Sequence, residues 1–305
     1  FFLWQGLISL LSLSILARIT YASLPPSLHR ARFSFQGLRG VSRFAGGMLG
    51  ITLLSLLLTQ VDKVMLSRLY MLILPITQAF YPRLCEVHAT GDQAIFADAY
   101  HKASQLVSVL AGSASIVMIL FSETFMRLWT HNAELAVRVA PLLSLLMLGN
   151  LFNGLMWIPY QAQLAYGWTS LAVKMNVVAV AVIVPAILFV IPSYGAIGAA
   201  WTWTILNLGY LFIGINFMYR RILRAEKWRW YIQDLLLPLG AGLSVAVLLK
   251  LCWRAHNTPL DQFIQLGLAA LFTSTASILA GGRVRRQFRQ ILNSFMKRAC
   301  IASHV

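Results

Sequence analysis

The chain has 305 residues, of which 59% are hydrophobic and 11% are charged, whereas ordinary soluble domains have roughly 45–50% and about 25%. A water-soluble globule of this length cannot bury so much apolar surface, so the composition predicts an integral α-helical membrane protein. The net charge of +16, from 25 Lys and Arg against 9 Asp and Glu, does not indicate nucleic-acid binding. The basic residues fall in short clusters between long apolar runs, not on one soluble face.

The start of the chain is predicted to be a spanning helix. It begins at Phe1 with an apolar run that has no basic leader and no cleavage site, which favours a span cut close to its start over a signal peptide. The cysteines, Cys85, Cys252 and Cys300, have no CxxC or Cys/His spacing. They are therefore interpreted as free thiols, not as zinc ligands or a disulfide framework.

Eight apolar runs are long enough to cross a bilayer, which takes about 20 residues. They are 2–24, 45–66, 104–126, 138–160, 172–192, 195–217, 231–252 and 262–281. A ninth run, Leu69 to Tyr81, is too short to cross without thinning the bilayer. The predicted organisation is a preceding helix at 1–24, a basic loop at 25–44, a helical bundle at 45–281 and a basic tail at 282–305.

The distribution of Lys and Arg predicts the topology, because these residues accumulate in cytoplasmic loops. If the short run counts as a crossing, alternate loops hold nineteen and six of them. The loop 25–44 and the C-terminus are then cytoplasmic and Phe1 is outside. Without that crossing, the loop 25–44 would lie opposite the equally basic loop 218–230. We therefore expect a fragment with an internal gap near Arg68 to Tyr70.

Two further segments carry local signals. Residues Glu86 to Ser104 are polar and periodic, which fits either a short cytoplasmic amphipathic helix or a solvated linker. The segment Gly195 to Ala200 has small residues at the spacing that lets helix backbones approach closely.

Polar residues interrupt the second predicted span at Leu58 to Met65. This segment contains Gln60, Asp62 and Lys63, and ionisable groups in a span usually face a protein interior or a water-filled cavity. A cavity-lining patch is therefore predicted, against the alternative that Lys63 snorkels to the interface beside a satisfied Asp62. Other polar residues in or beside spans are Asn150, Asn153, Gln161, Gln163, Asn176 and Asn207.

Enzyme signatures are absent from the sequence, which has no GxSxG, HExxH or Walker loop and no carboxylates at catalytic spacing. The chain is therefore not expected to be an enzyme, and no cofactor or metal site is expected. The histidines are interpreted as solvated loop or tail residues. They are His29, His88, His101, His131, His256 and His304.

The order of these features resembles the polysaccharide-export or O-antigen flippase family, within the superfamily that includes multidrug and toxin extruders. The resemblance covers about residues 1–250 and corresponds to the C-terminal half of such a transporter with one preceding helix. The motifs that carry it are Thr59-Gln-Val-Asp-Lys63, Leu74-Pro-Ile-Thr-Gln-Ala-Phe-Tyr-Pro82 and Tyr194-Gly-Ala-Ile-Gly-Ala-Ala-Trp201, the last resembling the family's hairpin between late helices.

The resemblance implies an all-α bundle of about 8–9 spans, like half of a multidrug and toxin extruder, in a bacterial inner membrane. It implies alternating-access transport of lipid-diphosphate-linked oligosaccharides through a partly cationic cavity, coupled to H⁺ or Na⁺. The matching site residues are Gln60, Asp62 and Lys63, with Arg68 and Lys174 as further cationic candidates and Asp62 as a candidate for the coupling ion.

Two alternatives remain open at this point. A cation-coupled drug extruder of the same fold would confer drug resistance and have no role in surface polysaccharide. A membrane-embedded glycan ligase or polymerase would be an enzyme. Such enzymes generally place catalytic groups on a sizeable external loop, whereas the predicted outer loops 127–137 and 253–261 are short.

Overall fold

The computed structural model describes residues 75–252 and 258–290, together with Ser14, Arg18 and Ile73. The side chain of Ile187 is not described. The chain divides into two compact units, Phe1–Leu58 and Thr59–Val305. Every regular element in the described residues is helical, and these residues include no strand. The predicted all-α class is therefore confirmed for this part of the chain.

The helices follow one another with short connections. We number them α1 (75–90), α2 (Gln93–Leu120), α3 (Ser122–Thr130), α4 (Ala133–Ala165, with a break at Met156), α5 (170–194), α6 (196–221), α7 (Lys227–Cys252), α8 (Pro259–Ala280) and α9 (282–290). Two stretches have π-helical hydrogen bonding, Tyr210–Gly214 in α6 and Trp230–Leu236 in α7.

Five helices in the described part are long and apolar enough to cross a membrane. They are Gln93–Leu120, Ala133–Ala165, Leu188–Arg221, Lys227–Cys252 and Pro259–Ala280, and the apolar helix Ser170–Ala186 is shorter. The stretch Leu188–Arg221 consists of α6 and the last residues of α5. They overlap all of the spans predicted beyond residue 100, with 172–192 represented partly by the shorter helix. The predicted span 45–66 and, apart from Ser14 and Arg18, the predicted span 2–24 lie outside the described residues. The described part of the short run from Leu69 is Ile73 and residues 75–81, and the latter form the start of α1.

The boundary between α1 and α2 corrects the interpretation of residues Glu86 to Ser104. Helix α1 ends at a turn in which Gly91 has a φ of 76°, a conformation that glycine adopts without steric cost. The Asp92 carboxylate then accepts the backbone N–H groups of Ala94 and Ile95 and caps α2. Residues 93–104 are therefore neither a separate amphipathic helix nor a linker, but the first three turns of a long helix.

The predicted turn at Gly195 is present. Gly195 has φ 57° and ψ −141°, which divides the helical stretch Ser170–Gly209 into α5 and α6. A hydrogen bond of 3.3 Å from the Tyr210 hydroxyl to the Asn176 side chain joins positions 34 residues apart. A Cβ added at Gly214 would lie 3.3 Å from Cε of Met175. These contacts show that α5 and α6 form an antiparallel hairpin.

Helix α2 packs centrally, against α4, α7 and α8. At one end of this arrangement the Tyr219 hydroxyl donates to the Tyr100 hydroxyl at 2.9 Å, joining the end of α6 to the start of α2. At the other end, Lys250 Nζ donates to the Leu120 carbonyl at 2.7 Å, joining the ends of α7 and α2. The connections 222–226 and 281 therefore lie at the same end as Asp92.

The hairpin presents a broad apolar surface. Helix α5 exposes Val177, Val178, Leu188 and Phe189, the last with 81% of its surface accessible. Contiguous exposed apolar patches of this kind are rare on soluble monomers, and they match the lipid-facing side of a helix whose backbone groups are satisfied internally. The described residues therefore have the surface of a membrane protein.

Candidate functional site

A buried ionic cluster occupies the end of the bundle where α2, α7 and α9 begin. It consists of His101 from α2, Glu226 from the 222–226 connection, Asp234 from α7 and Arg283 from α9, and we call it the His101 cluster. The side chains of His101 and Asp234 are fully buried, and that of Arg283 is 8% exposed. Such a concentration of charge inside a bundle is costly unless its members are paired.

Both ring nitrogens of His101 face carboxylate oxygens. Nδ1 is hydrogen-bonded to Oδ2 of Asp234, and Nε2 lies 2.9 Å from Oε2 of Glu226. A neutral imidazole has one N–H donor, so it can serve only one of two ionised carboxylates. Hydrogen bonds from both nitrogens therefore require one additional proton, held either as imidazolium or as a carboxylic acid.

Arg283 completes the charge balance. Its Nη1 lies 3.4 Å from Oδ1 of Asp234, and its Nε lies 3.6 Å from Oδ1 of Asp98. Asp98 also pairs with Lys102 one turn further along α2, at 2.6 Å. The buried Asp234 carboxylate is thus held between an imidazole and a guanidinium, while Asp98 links the cluster to the surface.

Local structure places these groups. Asp234 lies within the π-helical stretch Trp230–Leu236, and π-helical turns frequently occur at functional sites. The side chain of Gln105, one turn after His101, accepts the backbone N–H groups of Arg283 and Val284 at 2.7 and 3.0 Å. Because these are first-turn amides of α9, the buried Gln105 caps that helix and fixes Arg283 beside Asp234.

Glu226 is the cluster member nearest the surface, with 23% of its side chain exposed. Desolvation by burial would raise its pKa. The hydrogen bond and charge of His101, followed by the charge of Arg229, outweigh that effect and hold the pKa of Glu226 below its ordinary value of 4.5. The ionised form of Glu226 is therefore favoured in the folded protein.

The prediction that His101 is a solvated loop histidine is wrong. It lies in the third turn of α2 and is 0% exposed. Two features of the sequence, not used above, could have indicated this site: Asp234 is a lone carboxylate inside the predicted span 231–252, and His101 and Gln105 share a helix face four residues apart. The predicted basic tail 282–305 also begins as a helix, and its Arg283 is buried at the cluster.

A second candidate site is a cavity of about 270 Å³ between α4, α5 and α6. Its lining combines amide and aromatic side chains, and we call it the amide cavity. The amides are Asn153, Gln163 and Asn176, and the rings are Trp157, Tyr160 and Tyr210. Amides donate and accept hydrogen bonds without charge, and aromatic rings offer flat apolar faces.

The amide side chains in and near this cavity differ in their hydrogen bonding. Asn153 donates to Asn207 at 2.8 Å, and Trp203 donates to Asn150 at 3.0 Å, so these residues pack α4 against α6. Gln163 is only 5% exposed, and its buried Oε1 accepts no hydrogen bond from the described residues. An unsatisfied buried acceptor carries a desolvation cost of about 1–3 kcal/mol.

The structure describes one of the five site residues predicted from the sequence. Lys174 is exposed on α5, and its neighbours Ala172, Met175 and Asn176 line the amide cavity although it does not. Gln60, Asp62, Lys63 and Arg68 lie outside the described residues. The amide cavity brings together Asn153, Gln163 and Asn176, three of the polar positions in or beside the predicted spans.

The described residues define an all-helical membrane protein with a buried ionic cluster and an amide-lined cavity. Within them, no group of three or more His, Cys, Asp and Glu side chains is arranged to hold a metal ion. No protein-family model matches the chain, and a search of curated proteins and one of solved structures also found no match.

Proposed function

We propose that this protein is a transporter that moves a lipid-linked oligosaccharide across a membrane, with the amide cavity as part of the substrate pathway. The observation that carries the proposal is the composition of that cavity, in which uncharged amides lie beside aromatic rings. Sugars present many hydroxyl donors and acceptors without net charge, together with C–H faces that stack on aromatic rings. Amides beside Trp157, Tyr160 and Tyr210 suit both features.

The motif order supports the lipid-diphosphate-linked class of substrate and an inner-membrane location with a cytoplasmic C-terminus. In this proposal Gln60, Asp62, Lys63 and Arg68 line the diphosphate part of the pathway, with Lys174 beside the amide cavity. The fold is then half of a bundle like that of multidrug and toxin extruders. The protein acts as a transporter and not as an enzyme.

For the coupling ion we propose a proton. The His101 cluster supports this choice because its two imidazole contacts require one proton beyond those of a neutral ring. Asp62 is the corresponding candidate from the sequence. A transporter coupled in this way accumulates substrate in response to an imposed pH gradient and not to an imposed Na⁺ gradient.

The test is complementation of a strain that lacks its polysaccharide flippase. We expect the gene to restore surface glycan, and Gln163→Leu and Asn176→Ala to reduce it at equal protein level. Asn216→Ala is the matched control for Asn176→Ala, since Asn216 is likewise an exposed helical amide but lies outside the cavity. Drug resistance without restored glycan would instead support the drug extruder, and restored glycan in all three variants would exclude the amide cavity as the pathway.

A further inference from the structure

A second cavity, of about 430 Å³, opens beside the His101 cluster. Its floor is the first two turns of α2, with Gln93, Ala94 and Ala97, and its wall is the end of α6 and the following connection. Arg221, Arg224 and Glu226 contribute the charges of this wall, and Tyr166 contributes a hydroxyl. We call it the arginine cavity.

The two arginines have no acidic partner in the part of the chain that the structure describes. Among the described residues, neither Arg221 nor Arg224 forms an ion pair. The guanidinium of Arg221 lies 4.7 Å above the ring of Trp168, a cation–π contact that orients the group and leaves its N–H donors available. Arg224 is exposed. Arginine presents five donors in a planar fork that matches the oxygens of phosphate.

The one carboxylate of the wall is already engaged. Glu226 accepts from Nε2 of His101 at 2.9 Å and pairs with Arg229 at 3.4 Å. Because His101 and Arg229 already pair with the Glu226 carboxylate, its charge does not cancel the positive charges of Arg221 and Arg224. The Oε1 of Gln93 accepts from the Tyr166 hydroxyl at 2.9 Å, which directs the Gln93 oxygen away from a bound anion.

The position of the cavity fits a membrane interface. It lies where α2 and α7 begin and α6 ends, and the chain on either side exposes Phe217 and Trp228, with 46% and 68% of their surfaces accessible. Aromatic residues favour the headgroup level of a bilayer. Basic pockets between helices on the cytoplasmic side are a recognised site for anionic headgroups.

From these observations we infer that the arginine cavity binds a phosphate ester, held by Arg221 and Arg224, and that its source is the headgroup of an anionic membrane phospholipid. The site is separate from the amide cavity and does not depend on the proposed transport function. The same phosphate chemistry occurs in soluble anions, so the test has an arm for each source.

The experiment is a titration of the purified full chain in detergent, followed by native mass spectrometry. The probes are dioctanoyl phosphatidylglycerol, dioctanoylglycerol and inorganic phosphate. We expect saturable binding of the phosphatidylglycerol and none of the dioctanoylglycerol. Arg221→Gln and Arg224→Gln should each weaken binding about tenfold, because each removes a charge-assisted hydrogen bond.

Arg220→Gln is the matched control. Arg220 is exposed on the same helix end, beside the Phe217 ring, and does not line the cavity. Its substitution should leave the affinity unchanged. Unaltered thermal midpoints without lipid check that the variants fold. If Arg221→Gln does not fold, Arg224→Gln alone carries the test, because Arg224 makes no ion pair or ring contact in the described part of the chain.

Equal affinity for inorganic phosphate and for the phospholipid would support the phosphate site but assign it to a soluble anion. Equal losses in all three variants would indicate only diffuse attraction by the basic segment and overturn the inference. If neither phosphatidylglycerol nor inorganic phosphate binds saturably, the inference is overturned as well.

Discussion

Nδ1 of His101 is hydrogen-bonded to Oδ2 of Asp234 across 133 positions of the chain, and both side chains are fully buried. This contact fixes the start of α2 against the start of α7. Arg283 and Glu226 join the same pair from two further segments. The end of the bundle is therefore held by charged groups, whereas its exposed flanks are apolar.

Replacing Asp234 with Asn should strongly destabilise the protein. The change removes the buried carboxylate that His101 and Arg283 share, and leaves His101 with Glu226 and Arg283 with the half-exposed Asp98 at 3.6 Å. Breaking one partner of a buried ion pair costs about 3–5 kcal/mol. The measurement is the unfolding free energy in dodecyl maltoside with increasing SDS. Glu134→Gln is the control, because its pair with Arg138 is exposed and such pairs contribute about 0–1 kcal/mol. Similar losses in both variants would contradict the assignment.

Stability should fall on acidification through Glu226. Its pKa in the folded state lies below the ordinary value of 4.5, so the ionised carboxylate contributes stability that is fully present above about 4.5. That contribution is lost as the pH falls through the lower folded value. Thermal midpoints measured from pH 6 down to pH 3 should therefore decline less in Glu226→Gln than in the wild type. Parallel curves for the two proteins would rule out this contribution.

Gly149→Ala should destabilise the contact between α4 and α6. A Cβ at this position would lie 2.7 Å from Trp203 Cδ1 and 3.2 Å from the Thr204 Cα, and overpacking costs typically about 1–3 kcal/mol. Gly240→Ala is the matched control, since nothing lies within 4 Å of its added Cβ, and there the higher helix propensity of alanine should be neutral or stabilising. A thermal melt of each variant provides the comparison, and equal midpoints would show that α4 and α6 do not approach closely at Gly149.

Cysteine labelling should place the helix ends on two sides of the membrane. In a chain without its native cysteines, Thr90→Cys and Ala225→Cys should react with an impermeant maleimide from the same side. His131→Cys should react from the other side, because α2 separates it from Thr90 by the length of one span. Labelling of all three from one side would be incompatible with α2 as a crossing helix.

Local sequence was sufficient to locate most of the helices. Their apolar length and the small-residue segment that begins at Gly195 act over a few residues, so spans beyond residue 100 were found to within about a turn or two at most ends. It failed at Glu86 to Ser104, where polar residues suggested a separate element. Asp92 there caps a helix whose polar first turns continue into an apolar span.

What the sequence by itself determined is therefore the class of the protein: an all-helical chain whose apolar runs are matched to a bilayer. Only the tertiary structure decided that His101 meets Asp234 and Glu226, that Arg283 is buried, and that Asn153, Gln163 and Asn176 line one cavity. Hydropathy and capping are properties of neighbouring residues. The partner of a buried charge is set by helix packing, which brings together groups more than a hundred positions apart.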